Sequence, residues 1–230
     1  MVYYHDFKND QFLNEFFFGN EKDGYFVEIG ACDGIENSCC YFFENELNWD
    51  GIAVEPARNY SLALSRNRKC PEYSAIADYT IPLEQGGVLF YQSYLPVLSG
   101  ISCNLTTEKK GQVWENIGYT PYAVPTLTLF DLLEKHQSPN EIDYCAIDAE
   151  GSELGILRKF FEENELNDSK YTINVFSVEI DDNLREVTDI MTSNGYREEF
   201  NPYLRDLKFD GREITWERYY VKENAYQNVI

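Results

Sequence analysis

The sequence predicts an α/β protein in which a mostly parallel sheet carries helices on both faces. Apolar segments typical of strands alternate along the chain with segments of helical periodicity. The apolar segments do not alternate in polarity, as is typical of strands buried on both faces of a sheet. The length of 230 residues suits one α/β domain. No repeat or linker divides it, so we expect a single domain at 1–230.

An N-terminal helical arm, residues 1–22, precedes the first strand. Within it, a helix at 9–19 places Phe12, Leu13 and Phe16 on one face, and Gly19 ends it. The predicted strands are 25–30, 51–56, 73–77, 142–148, 171–180, 196–200 and 215–221. The predicted helices are 38–47, 57–69, 126–135, 152–163 and 184–194. The last strand follows its predecessor closely, so we expect it to run antiparallel.

Residues 79–125 interrupt this alternation and are expected to form an insertion or lid. Gly86 and Gly87 precede an apolar run at 88–91, which indicates a hairpin or an edge strand. Long connections of this kind are often lids or binding loops. The aromatic side chains clustered here are Tyr91, Tyr94, Trp114, Tyr119 and Tyr122. They could stack on a sugar ring or fill the core beneath a loop, and the sequence leaves both open.

The net charge of −21 argues against several partners. A surface this negative repels nucleic-acid phosphates and anionic membranes, whereas a neutral or cationic substrate fits. No apolar run approaches the roughly 20 residues of a membrane helix, and the N-terminus lacks the pattern of a signal peptide. The six cysteines show no zinc pattern. We expect reduced thiols in a cytoplasmic protein.

A glycine turn follows the first predicted strand. Gly30 and Gly34 allow a tight turn and the close approach of a ligand to the backbone. Cys32 stands where a dinucleotide-binding loop needs its second glycine, and Glu28 and Asp33 would repel phosphate. These acids suit a cation such as S-adenosylmethionine, which carries a sulfonium and an ammonium and no phosphate. Alternatively, glycine and acid here only build a tight strand-to-helix turn.

Several segments resemble the FkbM family of methyltransferases. They are residues 24–34 (GYFVEIGACDG), Ser38, 49–56 (WDGIAVEP), 125–133 (PTLTLFDLL) and 142–154 (IDYCAIDAEGSEL). The resemblance extends from about Gly24 to Tyr196, and the D-x-E-G-x-E element from Asp148 to Glu153 is its most specific part. The sequence departs from the family at Glu28, where Asp is frequent, and at Cys32, where Asn is common.

The resemblance implies a Rossmann-like class I methyltransferase fold with a seven-stranded sheet and an antiparallel last strand. It also implies S-adenosylmethionine as cofactor and O-methylation of sugar or polyketide hydroxyls. The predicted cofactor-binding residues are Glu28, Gly30, Ala31, Asp33 and Gly34 on the methionine side, Ser38 at the methionine carboxylate, Glu55 at the ribose, Ile76, Ala77 and Asp78 at the adenine, and Asp148. Ser38 would act from the N-terminus of the following helix.

An aliphatic hydroxyl holds its proton tightly, so a general base or a metal is expected beside the cofactor. Asp148 and Glu150 end the fourth strand and Glu179 ends the fifth, so these three are the candidate catalytic residues. Asp148, Glu179 and Asp181 could also hold Mg²⁺ through oxygen ligands. His5 could reach the site if the arm folds over it. His136 falls at the amino ends of the strands, on the wrong face.

The sequence thus predicts an O-methyltransferase acting on a hydroxyl of a sugar or glycan. The alternatives are methylation of a polyketide or lipid hydroxyl, and a non-catalytic module that only binds the cofactor. The expected partner is a small-molecule or glycan acceptor, and the chain could be one domain of a larger glycan-building polypeptide. The acceptor, the methylated position and the oligomeric state are not readable from the sequence.

Overall fold

The computed structural model describes residues 1–95, 98–105, 116–180, 182–209 and 211–226. The strands are β1 Tyr25–Ile29, β2 Asp50–Val54, β3 Pro71–Glu72, β4 Ala75–Ile76, β5 Val88–Ser93, β6 Gly100–Ile101, β7 Tyr119–Val124, β8 Thr126–Leu127, β9 Glu141–Ile147, β10 Thr172–Glu179, β11 Tyr196–Glu199, β12 Lys208–Phe209, β13 Arg212–Glu213 and β14 Glu217–Lys222. The α-helices are α1 Asn9–Leu13, α2 Tyr41–Leu47, α3 Ser61–Asn67, α4 Leu129–Lys135, α5 Glu153–Leu166 and α6 Leu184–Ser193. Among these residues, no helix is both long and apolar enough to cross a membrane.

A seven-stranded sheet forms the centre, in the order β11-β14-β10-β9-β1-β2-β3. The pairs from β10 to β3 are parallel, whereas β14 runs antiparallel to both β10 and β11. This confirms the predicted mostly parallel sheet and its antiparallel last strand. Because β1 and β9 are adjacent, the loops that follow them meet at one edge of the sheet, which is where ligands bind in such folds.

Successive strand residues pack on opposite faces of this sheet. Val27 and Ile29 of β1 pack with the apolar side chains of α4, α5 and α6. Phe26, the residue before Val27, packs on the other face with the aromatic side chains of α1 and α2. All three side chains are buried, which explains why adjacent residues of this strand are apolar. The prediction of helices on both faces is therefore confirmed.

The third strand of the central sheet lies earlier in the chain than predicted, and the Glu72 carboxylate accounts for the difference. The strand that joins the central sheet is β3, at Pro71–Glu72, and not 73–77. The Glu72 carboxylate accepts hydrogen bonds from the N–H groups of Tyr73 and Ser74 and so turns the chain. The next two residues, β4, pair instead with β8. Because Thr126–Leu127 form β8, the predicted helix 126–135 begins only at Leu129.

The N-terminal helix also differs from its prediction. The α-helix α1 ends at Leu13, and Asn14–Phe18 continue it as a π-helix that stops at Gly19. In the insertion, the described residues form a separate antiparallel sheet in the order β6-β5-β7. Tyr91 and Tyr119 stack there with ring centroids 4.5 Å apart. Trp114 lies outside the described residues.

Candidate functional site

The turn after β1 brings the chain against the end of β9. Gly30 has a φ of +90°, and a Cβ atom at this position would lie 2.3 Å from the backbone oxygen of Asp148. Only glycine satisfies both the left-handed backbone and this close contact. Two residues later, Cys32 also has a left-handed backbone, with a φ of +48°. It stands at the position where a dinucleotide-binding loop has its second glycine.

Glu55, which follows β2, holds this turn in place. Its Oε2 accepts a hydrogen bond from the N–H of Cys32 at 3.0 Å, and its Oε1 accepts one from the N–H of Ala57 at 2.7 Å. Burial raises the pKa of Glu55 to about 7, although the two backbone hydrogen bonds lower it. A carboxylate oxygen accepts more than one hydrogen bond. Glu55 can therefore still accept hydrogen bonds from ligand hydroxyls, as the ribose prediction requires.

Glu28, predicted on the methionine side of the cofactor, also has partners within the protein. Its carboxylate is buried, forms an ion pair with the Arg68 guanidinium and accepts hydrogen bonds from the hydroxyl of Ser38 and the N–H of Cys39. The charge of Glu28 is thus neutralised within the protein. Glu28 borders the cavity described below, but its main contacts tie β1 to the loop before α2.

Ser38 and Gly34, two more predicted cofactor residues, also have contacts within the protein. The Ser38 hydroxyl donates to Glu28 and accepts from the N–H of Tyr41, the first residue of α2, at 2.9 Å. Ser38 is buried and borders the larger of the two cavities described below, and its contact with the methionine carboxylate stays a prediction. Gly34 has a φ of +87°, and a Cβ there would lie 2.6 Å from the Arg68 Cγ. Glycine is required at this position because a side chain would overlap with Arg68. Gly34 borders neither cavity.

Two cavities open at the carboxyl ends of the central strands. The larger, about 330 Å³, lies over the ends of β1, β9 and β10. The smaller, about 50 Å³, lies beside Glu55 and Pro56, under the loop that carries β6. Gly30 and Asp148 border both cavities, which therefore adjoin. An elongated ligand can lie across the glycine turn, with one end in each cavity.

Two more of the predicted cofactor residues border the larger cavity. Ala31 is buried and borders it. Asp33 also borders it, while its Oδ1 accepts hydrogen bonds from the N–H groups of Ile35 and Glu36 at 2.8 Å each. Asp33 thus shapes the loop and still presents a charge to the cavity.

The three predicted adenine residues fall in different environments. Ile76 borders the smaller cavity. Ala77 is fully buried in an apolar cluster with Ala57 and Phe90, and it borders neither cavity. Asp78 is exposed and lies against Gly155 of α5. A direct cofactor contact by Ala77 or Asp78 therefore stays a prediction without a cavity to support it.

The predicted catalytic carboxylates gather around the end of β9. Asp148 and Glu179 border the larger cavity, and Glu150 borders the smaller one. The pKa of Asp148 is raised well above its usual range because surrounding protein displaces bulk water and because Glu179, Glu150 and Glu153 add negative charge. Glu153 also holds the loop, since its Oε1 accepts hydrogen bonds from two backbone N–H groups at 3.0 Å.

The predicted magnesium site has no support. Asp148 and Glu179 border the same cavity, but Asp181 lies outside the described residues. Within the described ranges, no group of three or more His, Cys, Asp or Glu side chains could hold a metal ion.

The sequence reasoning missed Glu217 and Asn9. Glu217 begins β14 and borders the larger cavity, directly across from Glu179 in the antiparallel pair. The fully buried Asn9 side chain donates a hydrogen bond to the Glu217 Oε2 at 3.0 Å. The amphipathic pattern of the arm indicated a helix, but no local signal relates residue 9 to residue 217.

The two histidines have different surroundings. His5 borders the larger cavity, so the arm does fold over it. Burial lowers the pKa of His5 to about 3, and its Nδ1 accepts a hydrogen bond from the N–H of Phe7. His136 borders neither cavity. It contacts Cys70 and Glu72, at the edge strand β3.

The chain matches one protein family and is similar to several solved structures. The family model described as the methyltransferase FkbM domain matches residues 28–198. A search of curated proteins gives no match. Among solved structures, the chain is similar to a METTL16 methyltransferase domain (14% identity, TM-score 0.42, 94% of this chain and 66% of that one). It is also similar to the N-terminal domain of human METTL16 in complex with SAH (15% identity, TM-score 0.39, 87% and 62%). The chain thus spans slightly under two thirds of these two structures. A third is a precorrin-6y C5,15-methyltransferase from Geobacter metallireducens GS-15 (12%, 0.41, 93% and 85%).

Proposed function

The chain belongs to the methyltransferase FkbM domain family, and on this premise we propose that it is an S-adenosylmethionine-dependent O-methyltransferase of a sugar or glycan hydroxyl. The observation that carries the proposal is the junction of the two cavities at Gly30. There the backbone borders both cavities, Glu55 would accept hydrogen bonds from the ribose hydroxyls, and Asp148 would lie between the cofactor and the acceptor. The negative larger cavity favours a cationic ligand over a phosphate-bearing one.

S-adenosylmethionine, when bound, supplies a methyl group that is already activated for displacement. The residues of this chain then have three tasks. Glu55 and the turn at Gly30 would hold the nucleoside, with Ile76 beside it. The buried walls of the larger cavity would exclude water and position the acceptor. Alignment of the acceptor oxygen can by itself contribute several kcal/mol, with an upper range of about 7–11 kcal/mol.

Asp148 is our candidate for the group that receives the acceptor proton. It borders both cavities, and Glu179 and Glu150 flank it. General bases work best when their pKa lies near the working pH, and the raised pKa of Asp148 moves it in that direction. A carboxyl with an ordinary pKa would be a much weaker acceptor for the proton of an alcohol.

Cofactor binding is tested by calorimetry with S-adenosylhomocysteine. We expect micromolar binding to the wild type, and an affinity about 10–100-fold lower for Glu55→Gln at pH 8, because charge-assisted hydrogen bonds to the ribose are lost. At pH 6 the difference should shrink, since wild-type Glu55, with a pKa of about 7, is then mostly protonated. Glu84→Gln, at an exposed position remote from both cavities, is the control. Absence of binding by the wild type would refute the cofactor assignment.

Catalysis is tested with sugar acceptors and isotope-labelled cofactor, read by mass. For an accepted sugar, Asp148→Asn should lower kcat about 100-fold or more, while S-adenosylhomocysteine affinity changes by less than about threefold. An Asp148→Asn protein with normal turnover would remove this residue as the base. Transfer to lipid or polyketide hydroxyls alone would favour the alternative acceptor class.

A further inference from the structure

The acceptor end of the larger cavity is built by parts of the chain outside the family match. The match covers residues 28–198. His5, Asp6 and Phe7 of the N-terminal arm border this cavity, and so does Glu217 of β14. The residues that hold the cofactor in our proposal fall inside the match. The arm and β14 are therefore the parts of this cavity that can distinguish the acceptor of this chain.

The Glu217 side chain is held by one hydrogen bond and can accept others. Its side chain is 8% exposed, and its Oε2 accepts the hydrogen bond from Asn9. Asn9 is held in turn by Tyr219, whose hydroxyl donates to the Asn9 Oδ1. The Glu217 Oε1 has no hydrogen bond to any residue that the structure describes, although Glu217 borders the cavity. This oxygen is therefore available to accept a hydrogen bond from a ligand or water in the cavity.

The charges around Glu217 favour a positive ligand group. Glu179 lies directly across the antiparallel pair, so the two side chains are on the same face. Asp148 and Asp6 border the same cavity. The described residues that line it include no lysine or arginine, and burial keeps His5 uncharged at neutral pH. A phosphate or carboxylate would be repelled by a charged Glu217, whereas an ammonium would be attracted.

We infer that Glu217, held by Asn9, binds the acceptor and selects an acceptor that carries an ammonium group, as an amino sugar does. This inference rests on the methyltransferase function proposed above. The carboxylates of Glu217 and Glu179 accept the ammonium hydrogens. The hydroxyl to be methylated then lies nearer Asp148 and the cofactor. Asn9 is a positioning residue, and through it the N-terminal arm contributes to acceptor choice.

The test uses three hexoses that differ only at carbon 6: 6-amino-6-deoxyglucose, glucose and glucose 6-phosphate. Each is titrated at pH 7.5 into the full chain saturated with S-adenosylhomocysteine, and binding is followed by NMR. We expect the amino sugar to bind at least about tenfold more tightly than glucose, and the phosphate to bind most weakly. Glu217→Gln should reduce the amino preference to less than about threefold, and Glu84→Gln should leave it unchanged.

Glu217→Gln should fold, because its amide oxygen can still accept the hydrogen bond from Asn9. Glu217→Asp retains the charge and should keep most of the preference, which separates charge from packing. Equal binding of glucose and the amino sugar, preference for the phosphate, no binding of any hexose, or a preference that survives in Glu217→Gln would overturn the inference. If S-adenosylhomocysteine itself fails to bind, the proposed function falls first, and this inference falls with it.

Discussion

Gly30 illustrates how much a single residue contributes to this site. Its left-handed backbone lets the chain leave β1 sharply, and its missing side chain makes room for the carbonyl of Asp148. The first requirement is conformational and the second is steric. Both can be measured, because the chain contains another glycine with a similar φ and open space around it. That glycine is Gly86, with a φ of +102° and no atom within 4 Å of a Cβ.

Gly86→Ala should therefore cost about 1–2 kcal/mol of unfolding free energy, the cost of a left-handed backbone for alanine. Gly30→Ala should cost more, about 3 kcal/mol or greater, because its Cβ also meets the Asp148 oxygen at 2.3 Å. Urea unfolding of both variants measures the difference, and S-adenosylhomocysteine binding should be lost only in Gly30→Ala. Equal costs for the two substitutions would show that the loop shifts and that the contact is unimportant.

At the scale of elements, Arg68 joins β1 to α2. Its guanidinium is buried between Glu28, in β1, and Glu44, in α2, with an Nε–Oε2 distance of 2.6 Å to Glu44. The aliphatic stem of Arg68 also packs beneath Gly34, in the turn. Burial of three charges is costly, so the gain comes from their mutual pairing. The sequence did not predict this partner of Glu28, because the two residues are 40 positions apart and no local pattern relates them.

Substitution of Arg68 alone should show how costly it is to bury the carboxylates of Glu28 and Glu44 without their cation. Arg68→Met leaves two buried carboxylates unpaired and should reduce the unfolding free energy at pH 7 by about 3–5 kcal/mol. Lys69→Met, at the next residue, removes a half-exposed ion pair with Asp50 and should cost less than about 1 kcal/mol. Urea unfolding gives both values. A triple variant with Gln at Glu28 and Glu44 should recover most of the Arg68→Met loss; if it does not, packing and not charge explains the effect.

At the scale of the whole molecule, several carboxyl groups border one cavity, among them Asp148, Glu179 and Glu217. Glu217 shows the consequence for stability. Burial raises its pKa in the folded protein to about 7, above the ordinary value of 4.5. A raised carboxyl pKa means that the folded state holds the proton more tightly than the unfolded chain does. Its contribution to stability is therefore complete below about pH 4.5 and is lost as the pH rises through 7.

Glu217→Gln should remove this dependence. Relative to the wild type, the variant should gain about 1–2 kcal/mol of unfolding free energy between pH 5.5 and pH 7.5, because the charge that costs energy at pH 7.5 is absent. Urea unfolding at the two pH values measures the change. Glu84→Gln is the exposed control and should show no such gain. A pH dependence identical to that of the wild type would mean that Glu217 is ionised throughout this range.

The sequence by itself determined the features that repeat along the chain or lie close together in it. Apolar strands at regular intervals gave the sheet and its two helical layers. Gly30, Glu55 and Asp148 each follow a predicted strand, and in a parallel sheet such strand ends meet at one edge. That rule alone placed them together. The family resemblance rested on the same segments.

Only the tertiary structure decided which acids are free and which are already paired. Glu28 pairs with Arg68, and Ser38 donates a hydrogen bond to Glu28, so these two predicted ligand residues also have partners within the protein. Asn9 and Glu217, from opposite ends of the chain, meet at the acceptor side of the cavity. The physical reason is that charge pairing and burial depend on distances in space between segments remote in sequence. Local residue patterns carry strand and turn preferences but not those distances.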